Sequence, residues 1–214
     1  MPGPVDGETY EDASGETTWN EVALEGRIGA DSAQDFRRQT TRVALAMLAS
    51  PEQRSRLIRI VINSRGGSFT AGNAIVSQIR RLQASGLQVE AFVAGDCESM
   101  AAVVASACDR TIMSRTGRLM WHGLHITRFV GDENMMAARL AELSRQNEMV
   151  LELLLARARR VKGRRHPLFS NRKQLTVLLR ADLPNWLRAE QALEAGLIDE
   201  VDEPPFEIAR GSNV

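Results

Sequence analysis

Ser99 stands in "GDCESMAAVVAS" (residues 95–106), between Glu98 and Met100, where two apolar stretches meet. Upstream, "LQVEAFVAG" has the composition of a buried strand; downstream, "MAAVVASAC" is small, apolar and helix-compatible. A hydroxyl at such a junction either caps the helix or attacks a substrate carbon. To attack, it needs a base to take its proton, a group to orient that base, and donors for the oxyanion that forms. One donor is close by, because the Met100 N–H falls in the unpaired first turn of the expected helix. A second could come from "SRGGS" (64–68), where Gly66 and Gly67 allow positive φ and close backbone approach to a carbonyl. The available bases are His122, His125 and His166. His122 ends the short strand pattern "RLMWH", where a loop-facing base would sit; His125 lies in the following loop, and His166 in a basic stretch before a proline.

The elements that must position these groups follow from periodicity. Residues 1–17 are rich in Gly, Pro, Glu and Asp and are expected to form a flexible acidic arm. "WNEVALEG" (19–26) suits a first strand, and helical spacing runs from Gln34 to Leu48. "RLIRIVIN" (56–63), rich in β-branched residues, suits an interior strand of a parallel sheet. Residues 69–84 restore a helical period, and "LQVEAFVA", "SMAAVVASA", "RTIM" and "GRLMWH" continue the alternation. This βα rhythm predicts an α/β domain over residues 18–214, with right-handed crossovers about a mostly parallel sheet. From Asp132, a suitable N-cap, to about residue 158, apolar positions recur near a 3.5-residue period, with Asn147 interrupting the row. Such a helix reaches roughly 40 Å, further than a compact domain needs, and points to an oligomer. The basic run 157–173, holding Arg157, Arg159, Arg160, Lys162, Arg164 and Arg165, is expected to be a solvated helix end; no aromatic platform accompanies the charges to suggest nucleic acid.

Composition narrows the class further. The chain has 214 residues, with 27 basic and 27 acidic side chains, so no global charge favours nucleic acid or acidic membranes. No apolar run approaches the roughly 20 residues of a membrane span, and the acidic N-terminus has no signal-peptide core. Cys97 and Cys108 are expected to be free buried thiols of a reducing, cytoplasmic compartment. No Cys/His cluster has metal-site spacing, and no cofactor is expected.

"INSRGGSFTAG", then "GDCESMAA", then "RLMWHGL" together resemble the proteolytic-subunit (ClpP) family of the Clp protease, whose hallmarks look like "INSPGGS", "ASM" and "MIHQP". The similarity runs from about residue 22 to 201 and includes the closing "AEQALEAGLIDEV". The resemblance implies a crotonase-like core of repeated βα units with a protruding handle helix. It also implies a serine endopeptidase with Ser99 as nucleophile, His122 as general base, and the N–H groups of Gly67 and Met100 as oxyanion hole. Family members stack as two heptameric rings, a tetradecamer, and receive unfolded protein from an ATP-driven AAA+ unfoldase. Three departures stand out. Arg65 replaces the proline after "INS", and Glu98 replaces a small residue before the nucleophile. The acid must be sought in "LLRADLPNWLRA", where an ungapped count lands on Arg180 and a two-residue deletion lands on Asp182, the only aspartate between Asp132 and Asp199. Asp182 is therefore taken as the acid.

Two rival functions remain. A catalytically weak or inactive ring subunit, with a structural and partner-binding role, is favoured by Glu98 and the displaced acid. A crotonase-fold enzyme acting on acyl-coenzyme A would share the core but leave the Ser99–His122 pairing unexplained.

Overall fold

The computed structural model describes residues 9–11, 18–49, 56–124, 129–160, 172–173, 176 and 185–202. Its elements are β1 (Thr9–Glu11), β2 (Thr18–Ile28), α1 (Ala30–Ala49), β3 (Leu57–Gly67), α2 (Phe69–Ala84), β4 (Gln88–Glu98) and α3 (Met100–Ala107). They continue as β5 (Arg110–Met113), β6 (Arg118–Trp121), α4 (Glu133–Arg160), β7 (Asn185–Arg188), α5 (Ala189–Glu194) and β8 (Glu200–Val201). The expected α/β alternation is present, with the handle helix two residues longer at its C-terminus. Thr9–Glu11, inside the stretch expected to be an arm, pairs antiparallel with β2; the rest of 1–17 lies outside the described residues.

Among the described residues the strands form one sheet in the order β1-β2-β3-β4-β5-β8. The β2–β3, β3–β4, β4–β5 and β5–β8 pairs are parallel, as the near-continuous apolar strands predicted. Strand β4 divides its outer edge. Its first half pairs with β5, through Glu90↔Arg110 to Val93↔Met113, and its last residues pair with β6, through Asp96↔Arg118 to Glu98↔Met120. Strand β7 then closes antiparallel on β6. One sheet edge thus serves two partners in succession, and periodicity alone does not reveal that split.

One face of the sheet carries Ile58, Ile60, Ile62, Val89, Ala91 and Val93, all fully buried, and supports α1, α2 and α3. All eight residues of α3 are buried, which its Ala and Val content permits by keeping the helix thin between α2 and the sheet. The alternating positions on the other face hold charges. Arg59 Nε donates to Glu90 at 2.9 Å, and its Nη1 donates to Glu21 at 3.3 Å. Arg110 reaches Glu90 at 3.2 Å and also pairs with Glu200. Glu21, Arg59, Glu90, Arg110 and Glu200 therefore alternate in sign across β2, β3, β4, β5 and β8. A one-residue slip of any strand would turn its member toward the apolar face, so the ladder fixes register.

Helix α4 has 28 residues and spans about 42 Å. Asp132 Oδ1 accepts the Met135 N–H at 2.9 Å, so the expected N-cap is formed. Only its later turns are buried, at Val150, Leu151, Leu154, Leu155 and Arg157, where the helix leans on α3. The expectation of a solvated basic end fails at its first member. Arg157 is 0% exposed, donates to the carbonyls of Cys108 and Asp109 at 3.4 and 3.3 Å, and forms an ion pair with Asp199. Asp199 in turn accepts the Thr111 N–H at 2.7 Å, so one guanidinium binds the helix end to β5 and to the approach to β8. Arg172 pairs back to Glu148 and Glu152 on α4, while residues 161–171 lie outside the described residues.

Removing a buried cation from its carboxylate costs far more than removing an exposed one. Arg157→Ala should lower unfolding free energy by about 3 kcal/mol. Arg145→Ala, on the exposed part of the same helix, should cost under about 0.5 kcal/mol. Denaturant midpoints at matched protein concentration measure both, and equal losses would show that the buried pair anchors nothing.

Candidate active site

Strand β4 ends at Glu98 and α3 begins at Met100, leaving Ser99 as the single joint. Its backbone adopts φ +53°, ψ −117°, and it is the one non-glycine residue with positive φ among the described residues. Such a conformation costs about 1–3 kcal/mol and persists only where surrounding structure imposes it. Two neighbours impose it here. The Ser99 N–H donates to Met120 O at 2.8 Å, extending the β4–β6 pairing one residue past the strand. From the other side comes Gly66, at φ +72°. A Cβ there would lie 2.4 Å from Glu98 O, 2.8 Å from Met100 N and 3.0 Å from Ser99 Cβ.

Ser99 occupies the N-cap of α3, yet its side chain makes no capping hydrogen bond. Its carbonyl accepts from Ala102 and Val103 at 3.1 and 3.3 Å, so the helix start is held by backbone alone. The hydroxyl, partly exposed, is left for other chemistry.

His122 follows the last residue of β6, with register Glu98↔Met120 placing it beside the β4 exit. Both side chains therefore leave the carboxyl ends of adjacent parallel strands, the usual location of ligand sites in α/β sheets. The two are not hydrogen-bonded to each other in this structure; unliganded sites commonly close that bond only around substrate. His122 Nδ1 lies 2.7 Å from Gly123 O. A carbonyl oxygen only accepts, so Nδ1 carries the proton in this contact, and Nε2 is the ring nitrogen that a general base would use.

The glycine turn differs in detail from expectation. Gly66 is the glycine that touches the Ser99 turn; Gly67, at φ +152°, is packed against β2, where a Cβ would fall 2.2 Å from Ile28 O. Ser64, not singled out from the sequence, fixes this turn. It donates to Gly26 O at 2.7 Å and accepts the Gly66 N–H at 3.1 Å. Arg65 is exposed, so its charge lies in solvent rather than among the backbone donors. Glu98 is partly buried, on the opposite pleat face from Cys97. Arg118 grips Asp96 with two bonds of 2.9 Å and lies 4.7 Å from the Trp186 ring, which clamps β4, β6 and β7 where they converge. Met100 is buried with its side chain against Gly72.

Neither thiol competes as a nucleophile. Cys97 and Cys108 are buried thiols outside any disulfide, as expected. Burial, helped by the neighbouring Cys108, Glu98 and Asp96, pushes the Cys97 thiol far above its ordinary range. Asp182, His125 and His166 lie outside the described residues. Among the described residues, no group of three or more His, Cys, Asp or Glu is placed to hold a metal ion, and no helix is long and apolar enough to cross a membrane.

Comparison with known proteins places this architecture. The family model described as Clp protease matches residues 16–205. Proteins described as the ATP-dependent Clp protease proteolytic subunit from Streptococcus pneumoniae, in strains Hungary19A-6 and R6 among others, are 27% identical over 161 residues. That alignment covers 74% of this chain and 75% of theirs. A solved structure of a ClpP1 point mutant from Listeria monocytogenes superposes with a TM-score of 0.67 at 19% identity, covering 86% of this chain and 91% of that one. The fold is thus the ClpP/crotonase-like one anticipated from "INSRGGS", "ESMAA" and "RLMWH". With nearly the whole sheet and handle helix inside the matched span, the chain belongs to the Clp protease family.

Proposed function

We propose that this chain is a serine endopeptidase subunit that cleaves peptide bonds through an acyl-enzyme. The observation that carries the proposal is the strained, non-capping Ser99 at the exit of β4, beside the strand that ends in His122. Strain at an N-cap that caps nothing has no value for folding; it suits a hydroxyl that must be presented. In this mechanism His122 Nε2 takes the Ser99 proton as Oγ attacks the scissile carbonyl. The resulting oxyanion is met by the N–H of Met100 and of the Gly66–Gly67 turn, with Gly67 the assigned donor. The proton then passes from His122 to the leaving amine. Water, deprotonated by the same ring, releases the acyl group.

Asp182 is assigned the role of stabilising the imidazolium. It stands three positions before Asn185, which pairs with Trp121, the residue before the base. That tether spans at most about 10 Å, within reach of the ring. Assembly into two stacked heptameric rings, delivery of unfolded protein by an AAA+ ATPase and a cytoplasmic location are proposed from the same family membership. The largely exposed first half of α4, carrying Met135 and Leu140, supports the assembly. A second possibility, a weakly active ring subunit, draws on the absence of a Ser99–His122 hydrogen bond in the structure.

A fluorophosphonate probe separates the two. Wild-type protein should be labelled at Ser99, Ser99→Ala should lose labelling and peptide hydrolysis with assembly intact, and an unlabelled but assembled wild type would leave only the structural role. Gly66→Ala, whose Cβ would strike the Ser99 turn, should slow labelling at least about tenfold. Gly86→Ala has a similar φ of +81° but no atom within 4 Å, and should leave labelling unchanged while costing a similar strain. Asp182→Asn should lower kcat/KM on the order of 10²-fold. This is less than the roughly 10⁴-fold seen where the wrong tautomer also results, because Gly123 O still accepts from Nδ1. An unchanged rate would remove Asp182 from the mechanism.

A further inference from the structure

The carbonyl that holds His122 Nδ1 belongs to the Gly123–Leu124 peptide, and the other end of that peptide is also held. Leu124 N–H donates to Asn147 Oδ1 at 2.9 Å, and Asn147 Nδ2 lies 3.5 Å from Leu124 O. The two contacts fix which way the amide faces, since the reverse orientation would set an NH₂ against an N–H. Asn147 is a partly buried residue of α4, one turn before the buried stretch that begins at Val150. It is the polar residue that interrupts the apolar row of the helix, and both of these bonds tie the segment after His122 to α4.

We infer that Asn147 is a positioning residue for the base, acting through the Gly123–Leu124 peptide to hold His122 in the Nδ1–H tautomer. The path is continuous: Asn147 Oδ1 accepts from Leu124 N–H, and the carbonyl of that same peptide accepts from His122 Nδ1. Hydrogen bonding at the N–H end of an amide polarises it and makes its oxygen a better acceptor. The oxygen also becomes a fixed one. Loss of the Asn147 contact would remove one anchor of this glycine-flanked peptide and let its carbonyl turn from the ring more readily. The neutral imidazole would then relax toward the Nε2–H form preferred in water, which has no lone pair left to receive the Ser99 proton. The family pattern "MIHQP" has proline where this chain has Leu124, and proline has no N–H to donate. The donor at 124 and the acceptor at 147 are therefore a pair that the motif itself does not supply.

The inference rests on the peptidase reading for its kinetic consequence but not for its structural one, and the experiment keeps them apart. Histidine labelled with ¹⁵N reports the tautomer of His122 by NMR, assigned with His122→Gln among only three histidines. In the full-length Ser99→Ala protein, Asn147→Leu should shift the neutral ring measurably from Nδ1–H toward Nε2–H. In the active protein the same change should lower kcat about tenfold with KM within about twofold. Asn147→Asp, which keeps an oxygen in place, should recover most of both effects. Leu124→Pro, which removes the donor instead, should reproduce them, and combining it with Asn147→Leu should add little further. The inference is overturned if Asn147→Leu leaves the tautomer unchanged, or if Asn147→Asp and Asn147→Leu lower kcat equally. Failure of wild type to label at Ser99 would defeat the peptidase reading, while the tautomer measurement would still decide the role of Asn147.

Discussion

The hydrogen bond from Ser99 N–H to Met120 O is the constraint on which the site depends. It keeps the chain paired with β6 for one residue after it has left β4, and so forces the turn into α3 to occur within a single residue. A longer joint would relax to negative φ and carry the hydroxyl away from the strand end. The opposing wall is the backbone of Gly66, too close to Glu98 O and Met100 N to admit a side chain. Between these two surfaces Ser99 has one available conformation. The cost, about 1–3 kcal/mol, is met by a core whose six central strand residues and whole α3 helix are buried.

That geometry requires β4 to end level with β6, which the Asp96↔Arg118 to Glu98↔Met120 pairing sets locally, while the first half of β4 is registered separately. The alternating Glu21–Arg59–Glu90–Arg110–Glu200 row crosses the opposite end of the strands. Glu90 is 1% exposed and bound by two guanidiniums, so a register shift would strand charges as well as misplace apolar groups. The register set at Glu90 holds against β3 as far as Ile62↔Val93; an irregularity then re-registers the two strands so that Ser64, which fixes the glycine turn, faces Cys97 two residues before Ser99. The division of the β4 edge between β5 and β6 then follows from length: β5 ends at Met113, and the turn from Ser114 to Gly117, exposed only at Arg115 and Thr116, returns the chain in time for Arg118 to meet Asp96.

Much of this is legible in the chain itself. Branched, continuous apolarity marks β3 and β4, helical spacing marks α1 and α2, and small residues mark α3, because each pattern is a local consequence of one buried face. Ser99 and His122 can be singled out for the same reason, since both stand where an element ends. What cannot be read depends on residues distant in sequence. Nothing around Arg157 distinguishes it from the arginines that follow, and only Asp199, forty-two positions on, makes it a buried anchor. Asn147 looks like a flaw in an apolar row because its partner, Leu124, lies across a loop. The glycines are recognisable as a pair, but which one meets the nucleophile depends on how β3 curls past β2, which Ser64 decides through Gly26.

Helix α4 joins these themes. Its later turns are clamped through Leu151, Leu154, Leu155 and Arg157, while its earlier turns carry Met135 and Leu140 in the open. A helix fixed along one side of one end cannot swing its free half without bending or disturbing the clamp, and bending costs backbone hydrogen bonds. The exposed apolar residues are therefore presented in a set direction. Covering them gains apolar burial with little ordering entropy left to lose, which is the condition under which association is cheapest. Asn147 sits where the free half meets the clamped half. The residue that braces the peptide beside His122 thus stands one turn before the stretch of α4 that is buried against α3.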